Sequence, residues 1–454
     1  MGGTREETSK KQRIQLSDHF TYKKLIRFTL PSMVMMVFTS IYSVVDGYFV
    51  SNYAGKTPFA AVNLIAPFLM ILGTVGFMFG TGGSALVSMK MGEGKKEEAN
   101  RIFSMLIYIS IALGAVLTVV GILFMRPIAH MLGARGEMLR DCVTYGRTVL
   151  TALPALILQF EFHSFFVTAE KPNLGLYFTI ASGVANMILD WLLVAVLGMG
   201  LVGAALATAA SEVVGGFGPL IYFAGRNSSL LRLGRTKFDG RALFKTCTNG
   251  SSELMSNLSM SLVGMLYNWR LLAYAGQNGV AAYGVLMYVN FGFIALFIGY
   301  AVGTAPVIGF HFGAGDKGEL KSLLKKSTVV IGCMAVCMFA AGELLGYPLA
   351  KLFVGYDREL MELTMSGFRI YSFSFLFAGF AIFGSSFFTA LNDGLTSALI
   401  SFLRTLVFQV TAVLVLPLLF GIDGIWLSVV AAEFIAVAVT VCFIAAKRKK
   451  YGYL

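Results

Sequence analysis

Charge is scarce in this chain. Of its 454 residues only 13% are Asp, Glu, Lys or Arg, about half the share that clothes a soluble domain. Acids are the scarcer sign, with 24 Asp and Glu against 36 Lys and Arg. Metal-ligand and thiol chemistry is thin as well, at four His and five Cys. Cys333 and Cys337, four apart on one helix face, lack the His or acidic company of a metal site, so the cysteines read as packing groups. No GxxxxGK[ST] loop, HExxH or GxSxG occurs, which counts against a nucleotide-driven pump, a zinc hydrolase and a serine hydrolase. An enzyme is not expected, and neither is a cofactor.

What is abundant is hydrocarbon. Hydrophobic residues make up 57% of the chain, and the mean hydropathy is +0.75. Apolar stretches of 18 residues or more recur throughout, each long enough to cross a bilayer core as a helix. The expected fold is an all-α integral membrane protein with twelve transmembrane helices. They run roughly over 25–50, 60–88, 102–125, 142–168, 174–197, 202–225, 249–273, 282–310, 327–348, 363–390, 395–420 and 424–446.

The net charge of +12 invites a nucleic-acid reading, but its distribution speaks for topology. The loops on one side hold 26 of the 36 Lys and Arg, in clusters such as Arg226–Lys245 and the KRKK run, while the opposite loops hold seven. The excess on one side places both termini in the cytosol of a multi-pass cell-membrane protein. The bilayer is the expected partner of the basic clusters, and nucleic acid is not. The opening MGGTREETSKKQRIQLSDHF is polar, without an apolar core and small-residue cleavage site, and reads as a cytosolic tail.

Sliding the chain against itself by 221 positions pairs Tyr53, Ala54 and Gly55 with Tyr274, Ala275 and Gly276. The same offset pairs Gly92 and Gly94 with Gly313 and Gly315, Pro127 with Pro348, and Gly200 and Glu212 with Gly421 and Glu433. Glycine, proline and charge recurring at one constant offset mark two copies of a six-helix unit. The expected organisation is a tail (1–24), an N-lobe of helices 1–6 (25–225), a linker (226–248), a C-lobe of helices 7–12 (249–446) and a second tail (447–454). Six is even, so both copies enter the membrane from the same side. The lobes should be related by a pseudo-two-fold axis along the membrane normal and enclose a central cavity.

One polar set is not duplicated. Adding 221 to Asp46, Asn186, Asp190 and Thr208 lands on Tyr267, Val407, Thr411 and Val429. A carboxylate within a span costs about 2.5 to 3.5 kcal/mol on insertion scales, so it faces a partner or a wet cavity. Asn186 lies one turn before Asp190 on the same face, and Gly183, Ser182 and Thr179 continue that stripe. Asp46 ends a similar stripe through Ser43, Tyr42, Thr39 and Ser32. Two polar stripes in one lobe can hide from lipid by facing each other. Two carboxylates in one low-dielectric pocket cannot both ionise cheaply, so such a pair would hold a proton near physiological pH, or serve with Asn186 and Thr208 as hard ligands to sodium. Glu212 and Glu433, being twins, read as scaffold.

LPSMVMMVFTSIYSVVDGYFVS, the glycine-rich MGEGKKEEA and FGAGDKGEL, and NMILDWLLVAVLGMGLVGAALAT resemble the multidrug and toxic compound extrusion family over nearly the whole chain. In one branch of that family an acidic N-lobe cluster couples proton or sodium entry to drug exit. Carried over motif by motif, the cluster falls on Asp46, Asn186, Asp190 and Thr208. Many members also have an Arg followed by Glu-Gly after helix 4, where HSFFVTAEKPN has Val167 and Glu170-Lys171 instead. Other branches place the cation in the C-lobe, and here Glu253 and Asn257, four apart on helix 7, are the candidates for a cation or cavity site. The resemblance implies a secondary antiporter that exports lipophilic, often cationic, organic compounds by alternating access, with H+ or Na+ as the coupling ion and no further metal or cofactor. A flippase for lipid or lipid-linked oligosaccharide is the alternative, but it would call for cationic groups in its cavity. Two lobes in one chain make a monomer sufficient.

Overall fold

A chain that crosses hydrocarbon must satisfy its backbone amides internally, and every regular element among the described residues is helical. The computed structural model describes residues 14–355 and 357–453. Helix 1 is Tyr22–Phe49 and runs on as π-helix through Val50–Ala54. Helix 2 is Lys56–Gly92 and helix 3 is Lys96–Met131. Helix 4 comes in two halves, Gly136–Leu150 and Leu153–Thr168, bent by 58°. Helix 5 is Pro172–Leu189, continuing as π-helix through Asp190–Val196, and helix 6 is Gly200–Ala224.

The next helical unit, Gly240–Gly313, has 74 residues. At 1.5 Å per residue it would measure about 110 Å, far more than a bilayer of about 30 Å can hold. Gly276, at φ 61° and ψ −148°, divides it into helices 7 and 8. Helix 9 is Lys317–Val354, and helix 10 is Arg358–Tyr371 followed, after Ser372–Ser374, by Phe375–Ala390. The last stretch, Gly394–Phe402, Leu403–Phe408 and Gln409–Tyr451, is divided at Gly421, φ 58° and ψ −136°, into helices 11 and 12. All twelve expected spans are present. Their ends differ by up to ten residues, as at helix 9, which starts at Lys317, and at helix 7, which starts at Gly240 where Asp239 accepts hydrogen bonds from the amides of Arg241 and Ala242.

The repeat is visible in the backbone. Gly200 and Gly421 share the same left-handed φ, 56° and 58°, as do Gly94 and Gly315, 78° and 73°. The break of helix 4 at Thr151 recurs 221 residues later at Ser372. The lobes meet through a symmetric seam. A Cβ on Gly92 of helix 2 would lie 2.0 Å from Phe310 O of helix 8, and a Cβ on Gly313 of helix 8 would lie 2.0 Å from Met89 O of helix 2. Deeper in, Gly82 of helix 2 and Gly250 of helix 7 are pressed together, and Gly303 of helix 8 lies against Thr29 of helix 1. Adding or subtracting 221 turns each contact into the other, as a two-fold axis requires. Gly47, Gly264, Gly284 and Gly292, toward the other face, have nothing within 4 Å of a built Cβ. The lobes are therefore closed on each other at the face carrying the basic loops.

Two terminal segments fasten the basic face. Before helix 1, Leu16 and Phe20 are fully buried. Leu16 N donates to Glu170 Oε1 of the N-lobe at 2.7 Å, while Phe20 N donates to Glu319 Oε1 of the C-lobe at 2.9 Å. His19 Nδ1 pairs with Glu319 Oε2 at 2.5 Å, and Lys326 Nζ donates to Phe20 O. At the other end Tyr451 and Lys447 both donate to Asp393 Oδ2, at 2.8 and 2.6 Å. Both described ends thus lie on one face. Residues 1–13 and 454 of the expected tails fall outside the described residues.

Candidate functional site

Helix 1 leans on helix 5 where a glycine lets it. A Cβ on Gly183 would lie 2.5 Å from the Phe38 ring and 2.8 Å from the Tyr42 ring. This approach brings the two polar stripes together as expected, and the Asp46 and Asp190 side chains face each other. Asp190 opens the π-helical stretch of helix 5, and such a local widening is a frequent device for aiming a functional side chain. Asp190 and Asn186, one turn apart, are 0% and 2% exposed. Thr208 of helix 6 joins from a third side, facing the Tyr145 ring of helix 4. Ser43 departs from the expectation: it is exposed and donates to Thr39 O at 2.9 Å.

The cluster is larger than the four expected residues. Glu212 of helix 6, 7% exposed, lies in the field of Asp46, and Tyr42 lies beside Glu212 and Gln159. Tyr145 lies in reach of Asp46, Asp190 and Glu212 at once. The twin relation to Glu433 argued for scaffold, but Glu212 is in the same polar group as the two aspartates. Tyr145 carried no signal, being one aromatic among 18 Tyr and 39 Phe. Asp46 Oδ1, Asn186 Oδ1, both Asp190 oxygens, Thr208 Oγ1 and Glu212 Oε2 are buried without a hydrogen-bond partner of good geometry. Unmet acceptors in a low-dielectric pocket draw a proton or a cation. The described residues contain no cluster of three or more His, Cys, Asp or Glu set to hold a metal ion. A sodium ion would therefore rely on the neutral oxygens of Asn186, Thr208 and Tyr145 beside the carboxylates.

Glu253 and Asn257 are elsewhere. They line a cavity of about 360 Å³ bounded mainly by the C-lobe, with Thr81, Ser84 and Ser164 of the N-lobe contributing to it. Arg404 Nε reaches both oxygens of Glu433, at 3.1 and 2.8 Å, on the cavity wall. Tyr267 and Tyr283 stack there at 5.4 Å with an interplanar angle of 3°, and Tyr267 Oη donates to Gln409 Oε1 at 2.8 Å. The size suits a drug-sized ligand, and the wall offers ring faces, one ion pair and one further carboxylate.

Two lobes of six helices, an acidic cluster in one and a large mixed cavity in the other, match one family model. The model for MatE fits this chain twice, over residues 31–192 and 254–415. The chain belongs to the MatE family. Its curated relatives include the multidrug export protein MepA of Staphylococcus saprophyticus, 28% identical over 434 residues that cover 94% of this chain and 92% of that one. MepA of Staphylococcus aureus is 27% identical over 415 residues, covering 91% of each. Among solved structures, the outward-facing conformation of a multidrug resistance MATE transporter of the MOP superfamily superposes with a TM-score of 0.90, at 23% identity, over 96% of this chain and 99% of that one. A MOP superfamily transporter from Pyrococcus furiosus, described as having a binding pocket of reverse polarity, gives 0.90 at 22% identity over 97% and 99%. The fold of this MATE transporter is the twelve-helix, two-lobe one that its sequence predicts.

Proposed function

We propose that this MATE transporter is a secondary multidrug efflux antiporter of the cell membrane, with both termini cytosolic. It exports lipophilic, often cationic, organic compounds in exchange for H+ or Na+ through alternating access of its two lobes. The observation that carries the reading is the N-lobe group of three carboxylates, Asp46, Asp190 and Glu212, with acceptor oxygens left unmet inside the membrane. The kinship with MepA, a multidrug export protein, supports the substrate class. A seam closed at the basic face with a cavity beyond it fits one half of an alternating-access cycle, and a single chain holds both lobes. Entry of an ion at Asp46 and Asp190 meets the unmet oxygens and lets helices 1 and 5 repack; departure of that ion restores the charge.

The test is substrate efflux from proteoliposomes with pH and sodium gradients imposed separately, for wild type, Asp46→Asn and Asp190→Asn. The gradient that drives wild-type transport names the ion, and either substitution should remove the drive. Gradient-driven transport of wild-type size in both variants would overturn the N-lobe assignment.

A further inference from the structure

The internal repeat allows the two lobes to be compared as if one were a variant of the other. Glu212 and Glu433 are twins at the 221-residue offset, both buried, on helices 6 and 12. Their surroundings differ in charge: Glu212 has Asp46 nearby, whereas Tyr267, the counterpart of Asp46, lies near Glu433. In the C-lobe, Glu433 is held by Arg404, which sits in the π-helical stretch of helix 11, Leu403–Phe408. The position that corresponds to Arg404 in the N-lobe is Gly183, whose missing side chain is what lets Phe38 and Tyr42 approach. The acid is kept in both lobes, while a fixed cation is supplied only in the second. Each lobe also uses a π-helical stretch in its fifth helix to aim one charged side chain inward, Asp190 in the first and Arg404 in the second.

We propose that Arg404 is a tethered counter-ion that takes, in the C-lobe, the place an exchangeable cation takes beside Glu212 in the N-lobe. The C-lobe cavity then exchanges no coupling ion through Glu433. Glu433, Arg404 and Glu253 then sum to one net negative charge on the wall, and the cavity selects amphiphiles with a single positive charge. The groups around Glu433 and Arg404 agree with this count. Tyr267 and Glu253 come from helix 7, Tyr283 from helix 8 and Tyr371 from helix 10, and Glu253 faces Arg404 and not another acid. None of the three tyrosines adds charge at neutral pH. The inference shares with the proposed function only the premise that the N-lobe holds the exchangeable ion.

Two probes of nearly one shape and different charge make the test: the monocation 1-methyl-4-phenylpyridinium and the dication methyl viologen. Binding of each to the purified full-length protein is measured by calorimetry, with proton release followed in weak buffer. Wild type should prefer the monocation. Arg404→Gln should shift the ratio of the two Kd values toward the dication by about tenfold or more, because a second carboxylate is uncovered. That variant should also release on the order of one additional proton when the dication binds, since an unpaired buried carboxylate takes up a proton that a cation then displaces. Arg404→Lys should keep the wild-type ratio. The double change Arg404→Gln with Glu433→Gln, which leaves no charge to misplace, should return the proton count to that of wild type. An unchanged Kd ratio and proton count in Arg404→Gln would make the pair a scaffold staple and overturn the proposal. Repeating the set with Asp190→Asn separates the two readings. The Arg404 effect should persist there, whereas failure of the N-lobe reading would show as ion coupling that survives Asp190→Asn.

Discussion

Replacing Gly250 by alanine puts a methyl carbon 1.9 Å from Met78 O, with Met78 C and Cα at 2.7 and 2.9 Å. Ordinary contact begins near 3.4 Å, so helices 2 and 7 must part by roughly 1.5 Å, and because the obstacle is backbone no side-chain rotamer relieves it. Overpacking of this kind costs about 1–3 kcal/mol. The cost falls only on the arrangement in which the two helices touch. An equilibrium biased by that amount moves about five- to 150-fold toward the arrangement open at the basic face. Spin labels at Glu97 and Lys321, exposed near the starts of helices 3 and 9 at the basic face, report the separation by double electron–electron resonance in a background without the five cysteines. The population at longer distance should grow in Gly250→Ala, while Gly264→Ala, where a Cβ meets nothing within 4 Å, should leave the distribution alone. Identical distributions for Gly250→Ala and wild type would refute the assignment of the glycine seam as the closed gate.

Three further outcomes are expected. Asp190→Asn should abolish concentrative transport at normal expression, since it keeps the shape and removes the charge; wild-type pumping by it in proteoliposomes would reduce Asp190 to a structural hydrogen-bonding group. Gly276→Ala should lower stability by about 1–3 kcal/mol in thermal unfolding, because φ 61° with ψ −148° is a region that only glycine occupies without strain. Asp393 caps helix 11 and grips the last turn of helix 12, so Asp393→Ala should cost about 1 kcal/mol for the cap. Burial pushes the Asp393 carboxyl up, but hydrogen bonds with Lys447, Tyr451 and Thr396 outweigh it and hold the group below its ordinary value of 3.8. A depressed folded-state value means stability present above 3.8 and lost as pH falls through the lower folded value, so the difference between Asp393→Ala and wild type should shrink in acid. A difference that grew in acid would contradict that sign.

The spans were legible because hydrocarbon dictates both their length and their composition, and the repeat supplied the breaks at Gly276 and Gly421 as twins of Gly55 and Gly200. Asp46 and Asp190 were legible because a carboxylate inside an apolar run needs an explanation. Glu212 was read as scaffold from the same repeat that revealed the others, yet it sits in one polar group with the two aspartates: duplication reports that a residue was inherited twice, not what each copy now faces. Arg404 could be noticed, but its partner could not be fixed, because the 29 residues to Glu433 say nothing about which wall of a cavity they share. The glycine seam was invisible for a related reason. A glycine in an apolar helix is compatible with lipid, a bend or a close backbone, and only the partner helix decides.

The segment Leu16–Phe20 has a practical consequence for how the protein is handled. Its first grip, on Glu170, belongs to one lobe and its second, on Glu319, to the other. Whatever is fused ahead of it pulls on a strap laid across the joint that the proposed cycle must open. Lys447–Tyr453, by contrast, is anchored on Asp393 and Phe387 within a single lobe. An affinity tag or fluorescent partner attached behind Tyr453 rides on one rigid body through the whole stroke, and the carboxyl end is the place to put it.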